Sequence, residues 1–342
     1  MDAHGRSVPS AQPLARDVLG GPGMSGPHDR LARYTFGHPQ RAEAELRAVL
    51  PERITAAVDW SSLRQEQLSV VDEALKETRR DLLFSARLRT GKQVWMYVLL
   101  EHQSSVDRWM AWRMLRYVQR LGDKWREEHP ESARMPVIIP LVLYHGEQGR
   151  WTAPRRVEEL YDVPEEDGEE WSELVPRMKY LLDDLTAEKE EALRARPGPA
   201  LVRLTWLLLR HGRSEELAER LPEWTALFAE VYAAPDGADK LGRVMRYLLL
   251  IGGREAHEAA GQVLHSVMDA QRAEELMRSY GEELIEQGRA QERAESVLQI
   301  LAARGVRVDE EAQRRIRRCM DLALLDRWIE RALNATRLSD VL

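Results

Sequence analysis

From residue 81 the chain alternates with a period of two. Leu82, Phe84, Ala86 and Leu88 fall on one side of an extended segment, and Asp81, Leu83, Ser85 and Arg87 fall on the other, because successive strand side chains point to opposite faces. After Arg89-Thr90-Gly91 the alternation resumes, with Val94, Met96, Val98 and Leu100 set against Gln93, Trp95, Tyr97, Leu99, Glu101 and Gln103. The pattern predicts a β-hairpin. A three-residue loop with Gly91 left-handed pairs Leu88 with Lys92 and brings the two all-apolar rows onto one face. A two-residue loop would split those rows, since a one-residue slip turns a whole strand over. In the selected register Asp81 lies opposite Leu99 and shares a face with Glu101 and Gln103.

The flanking segments change period. Residues 28–50 read as helix, interrupted near Gly37-His38-Pro39 because proline disfavours helix at the residue before it; Pro51 ends the second piece. Residues 68–71 are a short strand candidate. A helix is predicted to start at Ser104, where Ser104-x-x-Asp107 fits a capping pattern. Its Val106, Met110, Met114, Val118 and Leu121 make an apolar stripe, expected to cover the apolar face of the hairpin. Residues 136–144 read as a buried strand, parallel to a hairpin strand because a helical crossover precedes it. Pro140 within it argues for an edge or a bulge.

Beyond residue 155 the composition shifts. Glu158, Glu159, Glu165, Glu166, Asp167, Glu169 and Glu170 mark residues 156–195 as an acidic connector, solvated and carrying short helices. Residues 196–293 read as a helical region. Apolar stripes run through 201–209, 215–232, 240–251 and 258–268, and a long helix spans 270–303. Gly281 and Gly288 loosen or kink that helix, since glycine costs about 1 kcal/mol against alanine in a helix interior. Residues 294–342 read as a small helical domain. Asp321 caps its last helix, whose apolar face packs internally or pairs with another copy. Residues 1–27, rich in Gly, Pro, Ser and Ala, read as disordered, and Met24 is a candidate alternative start.

The length, 342 residues, suits two domains. A single cysteine, Cys319, placed in a predicted helix, excludes an intrachain disulfide framework and fits a reducing cytoplasm. No apolar run reaches the roughly 18–20 residues of a membrane span, and no signal-peptide pattern opens the chain. Charge is distributed unevenly. Residues 79–126 hold 11 Lys and Arg against 4 Asp and Glu, a surplus of 7; the whole chain is at −7, so the remainder carries −14. The basic segment coincides with the hairpin and the following helix. Arg113, Arg116 and Arg120 are candidates for contacting a phosphate backbone. They fit an ordinary solvated helix face equally well. The acidic connector would repel DNA.

Two carboxylates and an amide converging at a strand end make a site for a hard cation. Mg²⁺ suits it, keeping several waters and taking one or two carboxylates plus a substrate phosphate. Such an ion lowers the pKa of a bound water and stabilises charge on a phosphoryl oxygen, the chemistry of phosphodiester hydrolysis. The plain alternative is a solvated glutamate at a strand end and a turn or cap aspartate before a strand.

The arrangement D-x19-E-H-Q on a hairpin, followed by a helix and a buried strand, resembles the PD-(D/E)XK nuclease core. More closely, the chain resembles the recombination-promoting nucleases, the YhgA-like transposase family. The matching pieces are His28-Asp29-Arg30-Leu31 with Phe36 and His38-Pro39, Val71-Asp72-Glu73, Asp81-Leu82-Leu83-Phe84-Ser85, Glu101-His102-Gln103-Ser104, Met110-Ala111-Trp112-Arg113-Met114, and Pro140-Leu141-Val142-Leu143-Tyr144-His145-Gly146. They come in the family's order across residues 27–150. The resemblance implies a mixed-sheet α/β core over residues 28–155 with a mostly helical C-terminal extension. It also implies a metal-dependent DNA endonuclease, with a role in recombination. Asp81 and Glu101 would hold Mg²⁺, with Mn²⁺ or Ca²⁺ as alternatives, and Gln103 would orient the attacking water or ligate through its carbonyl. Gln103 stands where the superfamily has lysine, so slower chemistry is expected. Ala32-Arg33 replaces the usual Phe-Lys of the opening motif. Asp29 could add an acid from the first helix, or simply favour that helix's dipole. His145 is a candidate base, or a rim residue. A reading of another class remains: a catalytically inactive DNA-binding protein, or an interaction protein acting through its C-terminal helices, by which copies could also pair. No spaced acidic triad of a strand-transferring transposase is found.

Overall fold

The structure is a computed structural model. It describes residues 26–66, 81–101, 106–146, 149–166 and 168–342, apart from the side chains of Leu100, Glu101, Tyr280, Glu283 and Leu284. The expected strand at 68–71, the acids Asp72 and Glu73, His102, Gln103, the cap residue Ser104, and the N-terminal segment with Met24 lie outside the described residues.

The hairpin takes the expected register. Strands β2 (Leu82–Leu88) and β3 (Gln93–Glu101) are antiparallel, with Leu83 opposite Tyr97 and Ala86 opposite Val94. At the loop Leu88 N–H donates to Lys92 O, Gly91 N–H to Leu88 O, and Gly91 takes φ +83°. That left-handed backbone is why glycine serves there.

Three more strands complete one sheet in the order β1-β2-β3-β4-β5. β1 (Val58–Glu66) lies antiparallel outside β2, with an irregularity between Asp59 and Arg64. β4 (Val137–Tyr144) is parallel to β3, and β5 (Leu181–Asp184) is parallel to β4. The stretch expected to be a solvated connector thus contributes a strand, because Leu181 and Leu182 extend the parallel ladder beside Leu141 and Val142. β4 is an inner strand from Leu141 onward, but β5 has not joined at Pro140, so the strand has a paired neighbour on one side alone there, an edge at that position as expected.

Helices cover both faces. The even-numbered face of the hairpin, with Leu82, Phe84, Ala86, Val94, Met96 and Val98, belongs to one large core. It is shared with α1 (Pro27–Phe36), α2 (Pro39–Val49) and α7 (Ala200–His211), and continues through α9 (Thr225–Ala233), α10 (Gly237–Ile251) and α11 (Arg254–Val267). The short helices α3 (Glu52–Ala57), α5 (Gly168–Leu174), α6 (Glu190–Ala195) and α8 (Leu217–Arg220) fill the connections. The break between α1 and α2 falls at Gly37-His38, as proline at 39 requires. The stretch 215–232 is divided near Pro222 rather than running as one helix.

The odd-numbered face carries α4 (Met110–Glu128). Leu83, Trp95, Tyr97 and Leu99 form a second core with Met110, Met114, Tyr117 and Leu121. This corrects the expectation that the helix after the hairpin covers the all-apolar rows. The larger helical assembly claims those rows, and the crossover from β3 to parallel β4 carries α4 over the other side.

Helix α12 (Ala270–Ala303) is one continuous 34-residue helix through both glycines. It is capped by Asp269, which accepts from Arg272 N–H at 2.9 Å. Its far end joins α13 (Glu310–Arg318) and α14 (Leu322–Ala332) in a third core around Val297, Leu301, Ile316, Leu325 and Trp328. Asp321 caps α14 through Leu324 N–H at 2.9 Å. Cys319 lies just past α13 rather than inside it.

Candidate functional site

The end of the sheet where β2 begins and β3 finishes gathers the acidic groups. Asp81 immediately precedes β2 and is only 4 % exposed. The Tyr97 hydroxyl, two register positions down β3, donates a hydrogen bond to Asp81 Oδ2. That contact puts Asp81 on the odd-numbered face, as the alternation requires. Burial, and then the charge of Asp81, push the Tyr97 phenol well above its usual range, so it keeps its proton and acts as donor.

Helix α4 closes over this pair. The Tyr97 and Tyr117 rings are 5.2 Å apart. Arg113 Nε donates to the Tyr117 hydroxyl at 3.2 Å, and Arg113 Nη1 lies 3.8 Å from Asp107 Oδ2. Arg113 is therefore turned toward the site, while Arg116 is exposed and Arg120 half-buried. Just before α4, Asp107 accepts from Trp109 N–H at 2.8 Å in a turn that leads into the helix, whose N-cap is Trp109 with no side-chain cap.

Sequence reasoning missed Glu66. It ends β1 opposite Leu83, hence on the face of Asp81 and one pleat along from it. Glu66 Oε1 accepts from the buried Ser85 hydroxyl at 2.5 Å. Nothing in VDWSSLRQE marks a strand by alternation, so this neighbour of Asp81 is visible only in the structure. Tyr97 was equally hidden, counted as one more residue of its row.

Glu101 closes β3 with its Cα paired to that of Tyr144, at a position of the same parity as Tyr97 and Leu99. Its side chain and Gln103 lie outside the described residues. The donors that are described, the Asp81 and Glu66 carboxylates, are hard oxygens, the chemistry suited to Mg²⁺ or Ca²⁺ rather than to a soft metal. Among the described residues no group of three His, Cys, Asp or Glu converges as a ligand cluster. Glu66 shares this face but is turned to Ser85, on the far side of Leu83 from Asp81, so the fit to a hard cation rests on the Asp81 carboxylate and on Glu101, whose backbone reaches the same strand end.

The remaining candidates sit elsewhere. Asp29 is buried in the first turn of α1 and accepts from Gly26 N–H at 3.3 Å. His145 follows β4 and is 3 % exposed, its ring 5.4 Å from that of His28. His28 Nδ1 and the Tyr247 hydroxyl are 2.8 Å apart. Arg213 donates to the His145 carbonyl at 3.2 Å.

The fold and this strand end define an α/β protein with a five-stranded mixed sheet and acidic groups gathered beside a basic helix. The chain belongs to the family described as "Putative transposase, YhgA-like", which matches residues 26–239. It is similar to the recombination-promoting nuclease RpnD of Escherichia coli O157:H7, 27% identical over 68% of this chain and 84% of that protein. It is equally similar to the inactive recombination-promoting nuclease-like protein RpnE of E. coli K12, 27% identical over 67% of this chain and 72% of that protein. Recombination-promoting nuclease RpnA of the same strain is 33% identical over 36% of this chain and 41% of its own length. No solved structure matches. Among the described residues no helix is long and apolar enough to cross a membrane.

Proposed function

We propose that the chain is a metal-dependent DNA endonuclease of the PD-(D/E)XK type whose active site is the acidic strand end around Asp81. The observation that carries this reading is the buried Asp81 carboxylate, fixed by the Tyr97 hydroxyl on the sheet face under α4. The names of the relatives support it. Asp81 and Glu101 would hold the ion, with Mg²⁺ the best match to oxygen donors and Glu66 a third carboxylate on the same face. When bound, such a cation supplies a water of lowered pKa and charge stabilisation at a phosphoryl oxygen. Tyr97 holds Asp81 in one orientation, so the carboxylate pays little ordering entropy on ligation. Gln103 would position the attacking water or ligate through its carbonyl. Being neutral, it offers no positive charge to the transition state, and slow turnover is expected. Exposed Arg116 and half-buried Arg120 would take phosphates of the bound strand.

Plasmid nicking tests the reading, with Mg²⁺, Mn²⁺, Ca²⁺ or EDTA, on wild type beside Asp81→Ala. Metal-dependent nicking that falls at least 100-fold in the variant is the expected result. Equal nicking by both would sink it. A second reading, DNA binding without cleavage, is favoured by the similarity to a relative named inactive. It predicts salt-sensitive DNA binding with no nicking under any metal.

A further inference from the structure

Helix α4 buries Met110, Ala111, Met114, Tyr117 and Leu121, and an amphipathic helix places charged and polar residues opposite such a stripe. Its outward stripe instead starts with two indoles. Trp109 is 57 % exposed and Trp112 42 %, three residues apart and so side by side on the surface. Arg116 and Arg120 continue the stripe. Other tryptophans of the chain are better housed. Trp125 of the same helix lies edge-on to Trp95 at 5.5 Å, and Trp206 and Trp224 are fully buried with their Nε1–H groups donating to Glu45 and Glu190. Trp171 is also exposed, but among the acids of α5.

We propose that Trp109 and Trp112 are a stacking platform for unpaired nucleobases, with Arg116 taking a phosphate of the same strand. This deepens the nuclease reading, on which it rests for the identity of the ligand. It makes single-stranded or locally unpaired DNA the favoured substrate. Every base offers a π-face to an indole, so such a platform binds without regard to sequence. The surrounding charge fits a polyanion. Of the nearby acids, Asp107 accepts from Trp109 N–H and faces Arg113, and Asp123 lies 3.8 Å from Arg126. The platform also adjoins the proposed chemistry. Trp112 precedes Arg113, which bonds to Tyr117, whose ring lies against Tyr97, the donor to Asp81.

The test is equilibrium binding of the full chain in EDTA, so that no cleavage intervenes. The probes are a labelled 20-nucleotide single strand and the duplex of the same sequence, read by anisotropy and by quenching of tryptophan fluorescence. Single strand should bind at least tenfold tighter than duplex. Trp109→Ala and Trp112→Ala should each cost about tenfold in single-strand affinity and little in duplex affinity, since stacking is lost base by base. Trp112→Phe should recover most of it. Arg116→Ala should weaken both and lower the salt slope by about one. Both indoles are exposed, so unchanged melting temperatures are expected and verify the fold. Single-strand binding unaffected by the double alanine variant would overturn the proposal. So would a shift of that variant to a smaller species in size exclusion without loss of DNA binding, which would reassign the indoles to a contact between copies. Tryptophan-dependent strand binding by a chain that never nicks would leave the platform standing and remove the nuclease reading instead.

Discussion

The two faces of the sheet are built to different rules. The even-numbered face meets a helical assembly of six major helices, and its row of Leu82, Phe84, Ala86, Met96 and Val98 contains no polar side chain. Polar groups buried deeper on that side answer one another. Arg196 makes two 2.7 Å bonds to Asp183 and one of 2.6 Å to Glu188, while Trp206 donates to Glu45 at 2.6 Å. The odd-numbered face is covered mainly by one helix and mixes Asp81, Ser85 and Tyr97 into its aromatic and aliphatic residues. The same hairpin supplies both rows. One row is wholly apolar and the other carries the proposed site, so damage to each should show up in a different measurement.

Phe84→Ala should break the comparison hardest. It removes a ring that is 1 % exposed from the larger core, and chemical denaturation should show a loss of about 3–5 kcal/mol. Any nicking should persist in whatever protein remains folded. If stability barely moved, the even-numbered face would not be the structural one. Tyr97→Phe on the opposite face should invert the result. It keeps the ring, loses the bond to Asp81, and should cost about 1 kcal/mol of stability. Nicking should fall about tenfold, because the Asp81 carboxylate is no longer held in one orientation. Nicking unchanged by the variant would reduce Tyr97 to a packing role.

The smallest effect is a pH signature of the structural side. Burial, and then the neighbouring Asp183 charge, hold the Glu45 carboxyl well above its ordinary range. The folded state therefore keeps a proton that the unfolded chain releases near pH 4.5. That contribution is complete below the unfolded pKa and declines as pH rises toward the folded one. Glu45→Gln can keep the bond from Trp206 and donate to Asp183. Its melting temperature, compared with wild type from pH 5 to 9, should gain on the wild type as pH rises. Parallel curves would mean that Glu45 is already ionised in the folded protein.

The hairpin was legible because its two faces differ in composition along every residue of both strands, which fixes the register and the loop together. The site was legible only as far as that alternation reached. β1 carries no such pattern: Asp59, Ser61 and Ser62 interrupt it, and the pairing itself slips between Asp59 and Arg64. Glu66 went unseen with it. β5 is four residues long inside an acidic stretch, below the length at which a period can be read. The side taken by α4 is a tertiary matter. Both hairpin faces are apolar enough to receive a helix, and the choice is made by the handedness of the crossover and by competition from helices encoded before the hairpin and far beyond it.

Helix α12 links this body to the C-terminal unit. Its Ala273, Leu276 and Met277 belong to the large core and its Ala290, Ala294 and Val297 to the small one. Among the described side chains none between Met277 and Ala290 joins either, and Ile285 is 57 % exposed. Those twelve intervening positions span about 18 Å of helix held by its own backbone hydrogen bonds. Packing is what makes neighbouring segments melt as one, and among the described side chains it thins between the two cores. Two separable melting transitions in calorimetry are therefore the expected outcome, and a single one would show that the helix couples the two cores.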